Sequence, residues 1–424
     1  MHRSIVFKII SLLILQIGSL CSTDWTAYVT IDDAGPLVPI DVATSTPGNT
    51  IALPGSQIFS EAISPDGSTI YMVASDSVVV VDAATRTVIA QASYSLIPIP
   101  LFAGSGIAMA PDGATAYITG FSGSSGFIVP FITADNVFGS SLEFISSGGS
   151  SVMNNITITP DGSTAFVIPR IFADSIIPID LTNQLVGSPI TLEGFAALFT
   201  IIAAPDGSSV YMSGGSRLLQ VDVATLSFVT DINLPFDITA FIISPDGTTA
   251  YITDDSSTAI HSLDLAAQQV SLLASIDFFQ PNFIAITPDG KTIYAVGGAS
   301  NPVVFIDVAT QAMGAPINVL DGTYVLFGPT LMNSPTNLQG KQIKNRFIDR
   351  TAFANVLTWN LPTSGVAPVS YNIYRDSLSN LIGTSKTLGF IDYYILPSTT
   401  HTYYVRSVSE SGAASAPVNI TIAP

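Results

Sequence analysis

The chain has 424 residues, a formal charge of -18, 47% hydrophobic but only 10% charged side chains, and a single cysteine. That length exceeds one ordinary domain, the apolar fraction is ample for sizeable cores, and one thiol excludes an internal disulfide, so packing must carry the stability. From Ser22 to Met332, 27 acidic side chains face four basic ones, Arg86, Arg170, Arg217 and Lys291. Such a surface repels phosphate backbones and excludes nucleic acid as a partner of that region. From Asn333 onward the balance reverses to seven basic and four acidic.

Residues 1–21 read as an export signal: Arg3 and Lys8 precede an uncharged apolar run, Ile9 to Leu20, that is short for a membrane span. Ser19 and Cys21 sit two apart as small residues before a cleavage point. Cys21 leaves a second reading open, a lipid on its sulfur that would anchor the chain, although Leu20 is large for such a site. The expected location is secreted, or the cell surface and envelope.

Residues 22–332 repeat one phrase, cleanest at Ile284-Ala285-Ile286-Thr287-Pro288-Asp289-Gly290-Lys291-Thr292-Ile293-Tyr294. An alternating strand, a turn and a second strand led by an aromatic make a hairpin. Proline presets φ, aspartate bonds back to the local backbone, and glycine accepts positive φ. The Pro-Asp-Gly turn begins at Pro65, Pro111, Pro160, Pro205, Pro245 and Pro288, spacings of 46, 49, 45, 40 and 43, about one four-stranded propeller blade. A third strand ends in an aliphatic residue and Asp (Asp41, Asp82, Asp180, Asp222, Asp264, Asp307), and a fourth follows, as at Thr87 to Ala90 and Phe228 to Ile232. The third unit is the weakest, because Ile128-Val129-Pro130-Phe131 lacks the aspartate.

Seven aromatic strands, beginning at Tyr28, Tyr71, Tyr117, Phe166, Tyr211, Tyr251 and Tyr294, stand against six turns. The first has no inner strand before it, and Gly322-Thr323-Tyr324-Val325-Leu326-Phe327 is an inner strand with no turn after it. Joining the two makes a seventh blade from both ends of the region and removes free sheet edges. The expected class is all-β: a seven-bladed β-propeller closed by a C-terminal inner strand, followed by a second domain. With Ala27-Tyr28-Val29-Thr30 beside the recurring turns, the region resembles the YVTN β-propeller repeat proteins, although the asparagine ending that signature is replaced in all seven copies. The resemblance implies exported or surface-layer work, binding more than any single reaction.

Residues 333–424 resemble a fibronectin type III domain, a β-sandwich of about 90 residues. The matching positions are Val356-Leu357-Thr358-Trp359, Tyr371-Asn372-Ile373-Tyr374-Arg375, Leu396-Pro397 and Tyr403 to Val408. Tyr403 is the candidate for the tyrosine corner, with one residue more than usual between Leu396 and it.

Few side chains are suited to chemistry. After export only His261 and His401 remain, one per domain, which excludes a multi-histidine metal site. A Ser/His/Asp arrangement would have to use His261 beside Ser262-Leu263-Asp264, against the plainer reading of an ordinary histidine. The repeated turn aspartates are explained by turn chemistry. Asp32-Asp33 and Asp254-Asp255 break the repeat in loops after the aromatic strand. Hard oxygen ligands there suit Ca²⁺, but without the spaced pattern of a calcium loop the default is a solvated acidic loop and no cofactor. Arg170, Phe172 and Arg217 fall on the same face and make the candidate contact patch.

The function expected from these residues is that of an exported, non-catalytic binding or adhesion protein, monomeric, whose propeller face recognises a protein or a carbohydrate. Membrane contact would come only through Cys21. The alternative is a propeller hydrolase such as a lactonase, using the loop carboxylates with a divalent metal.

Overall fold

The computed structural model describes residues 25–31, 35–99, 103–123, 125–145, 155–169, 174–192, 198, 200–277, 279–297, 301–329, 334–346, 351–362, 368–396, 398–408, 414–415 and 417–424. The protein is all-β. The chain divides into two compact units, Trp25–Pro329 and one holding Thr330–Pro424.

The described residues of the first unit form seven antiparallel sheets, each a meander. Sheet 1 joins Gly322–Pro329 to Trp25–Ile31, Leu37–Asp41 and Thr46–Pro47. Sheets 2 to 7 begin with Ile58–Ile63, Ala103–Met109, Ile156–Ile158, Ile201–Ala203, Ile238–Ile243 and Phe283–Ile286, respectively. The phrase that recurs in sequence folds as one object. In sheet 2 the Ser68 amide donates to the Asp66 carboxylate (3.0 Å), the Ser64 hydroxyl donates to it as well (2.6 Å), and the Gly67 amide closes on the Ser64 carbonyl (2.8 Å). All six turn glycines take φ between 69° and 75°, where a Cβ is strained. They also face the preceding repeat: a Cβ on Gly113, Gly162, Gly207, Gly247 or Gly290 would lie 3.0 to 3.7 Å from the Cδ of Pro65, Pro111, Pro160, Pro205 or Pro245. Sheet 1 has no such turn, and Gly328 takes that place, its Cβ position 3.6 Å from the Gly67 Cα.

The Ile-Asp strand ends are equally regular. Asp41, Asp82, Asp180, Asp222, Asp264 and Asp307 each accept the amide three residues on, at 2.6 to 2.8 Å. The next residue is left-handed in every sheet: Ser45, Arg86, Asn136, Gln184, Leu226, Gln268 and Gln311 have φ of 51° to 60°. In sheet 3 Ile132 replaces the aspartate, and the hydroxyl of Thr133 donates to the Gly113 carbonyl (2.8 Å).

Trp25–Ile31 and Gly322–Pro329 pair in antiparallel register, Tyr28 opposite Leu326 and Val29 opposite Val325. First strands neighbour one another from sheet 1 through sheet 5. The second strand of sheet 5 then lies against the first strand of sheet 6, and sheets 6 and 7 lead back to Gly322–Pro329. Buried clusters fill the spaces between consecutive sheets, for example Ala27, Val29, Val38 and Ile40 with Tyr294, Val296 and Val303.

Outer strands differ among the sheets. Sheets 2, 5 and 6 end in seven-residue strands, Thr87–Ser93, Ser227–Asn233 and Gln269–Ser275. In sheets 1, 3 and 4 the third strand carries Pro39, Pro130 or Pro178, which has no N–H to give, and the outer strand survives as short pieces. Gly48, Gly139 and Gly187 donate to those prolines' carbonyls at 2.7 to 2.8 Å, and Gly314 donates in the same way to the Phe305 carbonyl (2.9 Å) in sheet 7, which has no fourth strand among the described residues although its third strand has no proline.

The second unit has a three-stranded sheet, Thr336–Arg346, Thr351–Asn360 and Gly389–Ile395, and a four-stranded one in the order Leu381–Ser385, Ser370–Arg375, His401–Val408, Val418–Ile422. Leu357 and Trp359 from the first pack on Tyr371, Ile373, Tyr403 and Val405 from the second. The corner expected at Tyr403 takes another form. Its hydroxyl donates to Asp392 (2.7 Å) and accepts from Asn355 (2.9 Å), while Arg375 holds the same carboxylate (2.9 Å). The extra residue before Tyr403 is accompanied by a side-chain anchor in place of a main-chain one.

Candidate functional site at the connector end

Connections in a meander alternate between the two ends of a sheet, which sorts the first unit into a turn end and a connector end. The Pro-Asp-Gly and Asp-capped turns share the turn end, where the carboxylates accept local bonds. Their hydroxyl and amide donors hold Asp66, Asp161, Asp206, Asp222, Asp246 and Asp307 below the usual carboxylate range. A recess of ≈ 240 Å³ there is lined by Ala110, Asp112, Thr115, Tyr117 and Asp161, among others. Both acids serve their own turns, Asp112 accepting from the Ala114 amide (2.9 Å) and Asp161 from the Ser163 amide (3.0 Å).

The connector end carries the residues that depart from the repeat. In sheet 6 the buried Asp254 accepts from the Ser256 amide (2.8 Å), the Ser256 hydroxyl (2.8 Å) and the Ser257 hydroxyl (2.7 Å). Burial pushes its pKa up, but these donors and His261 outweigh it and hold the carboxyl low. Gln280 donates to the Asp254 and Asp255 carbonyls, and the Asp255 amide donates to the Asp237 carbonyl (2.9 Å), so the connections on both sides of the sheet are tied to this loop. Phe236 stacks on His261, with centroids 4.1 Å apart and planes at 19°.

His261 therefore meets Asp254, and the arrangement with Ser262 and Asp264 is not formed. Strand alternation separates them: Ser262 lies in the ladder between Tyr251 and Ser271, and Asp264 caps the next turn. The imidazole Nε2 lies 3.9 Å from the Asp254 carboxylate, beyond hydrogen-bond reach, and burial lowers the ring's pKa against the pull of Asp254, leaving it neutral at pH 7. No three His, Cys, Asp or Glu side chains among the described residues gather into a metal-holding group. Asp254 is engaged by three donors, and Asp255 is exposed beside it. Asp32, Asp33, Arg170, Phe172 and Cys21 lie outside the described residues. Arg217, at the start of its strand, is held by Asp231 on the neighbouring strand, Nε to Oδ1 at 2.9 Å, so its guanidinium has an internal partner.

One residue that the sequence reading passed over is Glu61. Four residues before the turn proline, the other sheets carry Ile107, Ile156, Ile201, Phe241 and Ile284, and Val325 sits opposite Val29 in sheet 1. Glu61 points its Oε2 at the Thr30 hydroxyl of sheet 1, while its Oε1 is buried with no hydrogen-bond partner among the described residues. Burial raises its pKa from 4.5 to about 8. Superposing the repeats would have exposed it, as the acid in a hydrocarbon column.

No family model and no curated protein matches the chain. Solved structures do. Hydrazine synthase of Kuenenia stuttgartiensis shares 20% identity at a TM-score of 0.56, over 67% of this chain and 92% of that one. A functionally unknown protein from Desulfotomaculum acetoxidans shares 14% at 0.59, over 72% and 99%. A putative 6-phosphogluconolactonase from Bacteroides uniformis shares 16% at 0.56, also over 72% and 99%. At such identities the likeness is one of fold, β-propeller-like and all-β.

Proposed function

We propose that the protein is an exported binding or adhesion protein whose first unit is a seven-bladed propeller of the YVTN repeat type. The strand near Tyr324 serves as the inner strand of its first blade, and a fibronectin type III-like sandwich serves as spacer or second module. Residues 1–21 are its export signal, and Cys21 the point at which a lipid could tether it. The connector end is the non-catalytic recognition face, for a protein or a glycan, and the mature chain acts as a monomer.

The observation that supports this reading is the unequal use of the two ends. Polar groups at the turn end serve the fold, whereas Phe236, Asp255 and the Asp254–His261 pair break the repeat at the connector end. Aromatic and charged groups held by a rigid scaffold are what recognition surfaces use. The alternative, a lactonase-like hydrolase using loop carboxylates and a divalent metal, draws on the fold likeness and on Asp32, Asp33, Asp254 and Asp255.

The test is a glycan and protein array probed with the mature chain, its Phe236→Ala/Asp255→Lys variant and a turn-end control, Lys291→Glu. Binding that drops about tenfold or more in the first variant and survives in the control is expected for a central contact. Equal binding by all three would overturn the assignment of the face. A stoichiometric divalent ion in the purified protein, with turnover of a lactone, would favour the hydrolase.

A further inference from the structure

The second unit holds a chain of hydrogen bonds at one end of the four-stranded sheet. His401 opens the strand His401–Val408. Its Nδ1 lies 2.9 Å from Asp376 Oδ2, and its Nε2 lies 3.0 Å from the Thr399 hydroxyl. A carboxylate accepts, so Nδ1 carries the proton. In a neutral ring Nε2 has a lone pair that can accept from the Thr399 hydroxyl, which would set hydroxyl, base and orienting acid in series. Thr399 Oγ1 also lies 2.9 Å from the Leu396 carbonyl, the acceptor it returns to when the ring is protonated.

The arrangement is held from behind. Asp376 sits at φ 64°, a conformation that needs support in a non-glycine residue. Its amide donates to the Thr402 carbonyl (2.7 Å), and the Thr402 amide donates to its Oδ1 (3.0 Å), leaving Oδ2 for the ring. Although burial pushes the Asp376 pKa up, the bonds from His401 and Thr402 hold it below the usual range, so it is a carboxylate at neutral pH. Thr399 is half-buried and Asp376 half-exposed.

We propose that Thr399 is an activated nucleophile, with His401 its general base and Asp376 the residue that positions the ring, and that it takes acyl groups from activated esters. In the first step Thr399 Oγ1 bonds to the ester carbonyl carbon as its proton passes to His401 Nε2. The imidazolium, paired with Asp376, then returns that proton to the departing oxygen as the carbon–oxygen bond breaks. In the second step water attacks the acyl-threonine, giving its proton to Nε2, and Thr399 leaves reprotonated. The hydrogen-bonded groups described here supply a nucleophile and a base, which suits a substrate that needs little further activation. The leaving group must be good, an aryl ester and not a peptide. This inference is independent of the propeller's role.

The test uses the full mature chain with p-nitrophenyl acetate and a fluorophosphonate probe, read by p-nitrophenol release and by peptide mass. The expected result is an acyl or phosphonyl adduct on Thr399, formed at a rate that depends on His401. Thr399→Ala should carry no adduct there, Thr399→Ser should react at least as fast, and His401→Gln should slow labelling about a hundredfold or more. Asp376→Asn should slow labelling and shift the pH profile, which a purely structural bond would not do. Far-UV circular dichroism and the combined fluorescence of Trp25 and Trp359 report folding in each variant. An unlabelled Thr399 in folded wild type and folded Thr399→Ser, or labelling indifferent to His401→Gln, overturns the proposal.

Discussion

A carboxyl group placed where its repeats carry hydrocarbon is tolerated by staying protonated, and Glu61 does so at the seam between sheets 1 and 2. Below about pH 4.5 the group holds its proton in both folded and unfolded chains and makes no difference between them. As pH rises from 4.5 to about 8 the unfolded chain releases the proton while the folded chain keeps it. Stability therefore falls across that window, by up to about 1.4 kcal/mol per pH unit, and levels off above it. Glu61→Gln keeps the shape without the acid. Its urea midpoint should match wild type near pH 4 and exceed it increasingly toward pH 8, and Glu61→Ile, the residue of four other sheets, should show the same divergence. A Gln variant weaker than wild type at pH 8 would mean that the carboxylate is ionised and paired, against this account. The residue lay in plain sight in the sequence, but turn spacing drew the reading to the conspicuous aspartates, which spend their charge on local amides. Asp254 and His261 were also noticed separately; their meeting depends on pairing across a ladder that neither residue announces.

At the scale of the turn and the strand, the repeat is enforced twice, by backbone conformation and by contact with the next copy. Gly113 illustrates both constraints, with φ of 71° and a Cβ position 3.0 Å from the Pro65 Cδ of the preceding turn. Gly113→Ala should cost about 1–3 kcal/mol, the sum of left-handed strain and a tight contact, and is read as a lowered urea midpoint with native circular dichroism. Leu226 presents the opposite case. It holds the left-handed place of its turn at φ 51° with its side chain 43% exposed, so little packing offsets the strain. Leu226→Asn should raise stability by about 0.5–1 kcal/mol, and an unchanged or lower midpoint would show that the leucine is held by packing. The Pro-Asp-Gly and Ile-Asp turns were legible because a few residues with strong local preferences define each. The shortened outer strands were less so, since Pro130 in the sequence showed only a missing aspartate, and the effect of a lost N–H falls on the neighbouring strand, at Gly139. Sheets 2, 5 and 6 keep unbroken outer strands that expose Ile89, Phe228, Val229 and Leu272.

At the scale of the whole first unit, one pairing joins residues separated by nearly the full length of that unit. Val29 and Val325 lie opposite each other in antiparallel strands and are buried, and the Thr323 hydroxyl donates to the Thr30 carbonyl (3.0 Å) while the Tyr324 hydroxyl reaches the Phe59 carbonyl (3.1 Å) on sheet 2. Opposed residues in such strands bring their Cβ atoms within about 4.5–5.5 Å, close enough for a disulfide after small adjustment. Because Cys21 is the only native thiol, a Val29→Cys/Val325→Cys pair in a Cys21→Ser background can form one internal bond and no other. Oxidation should give a faster-migrating band on non-reducing gels and a higher urea midpoint, reversible with a thiol. In the chain-entropy view a loop of roughly 300 residues is worth up to about 6 kcal/mol, less whatever two lost valine side chains cost the core. Free thiols under oxidising conditions in a folded chain would place the two strands apart. The linkage also separates two modes of opening. If the seam parts first, oxidised protein should lose the pH dependence assigned to Glu61 until the ring melts as a whole. If all sheets unfold together, the bond should raise the midpoint equally at pH 4 and pH 8.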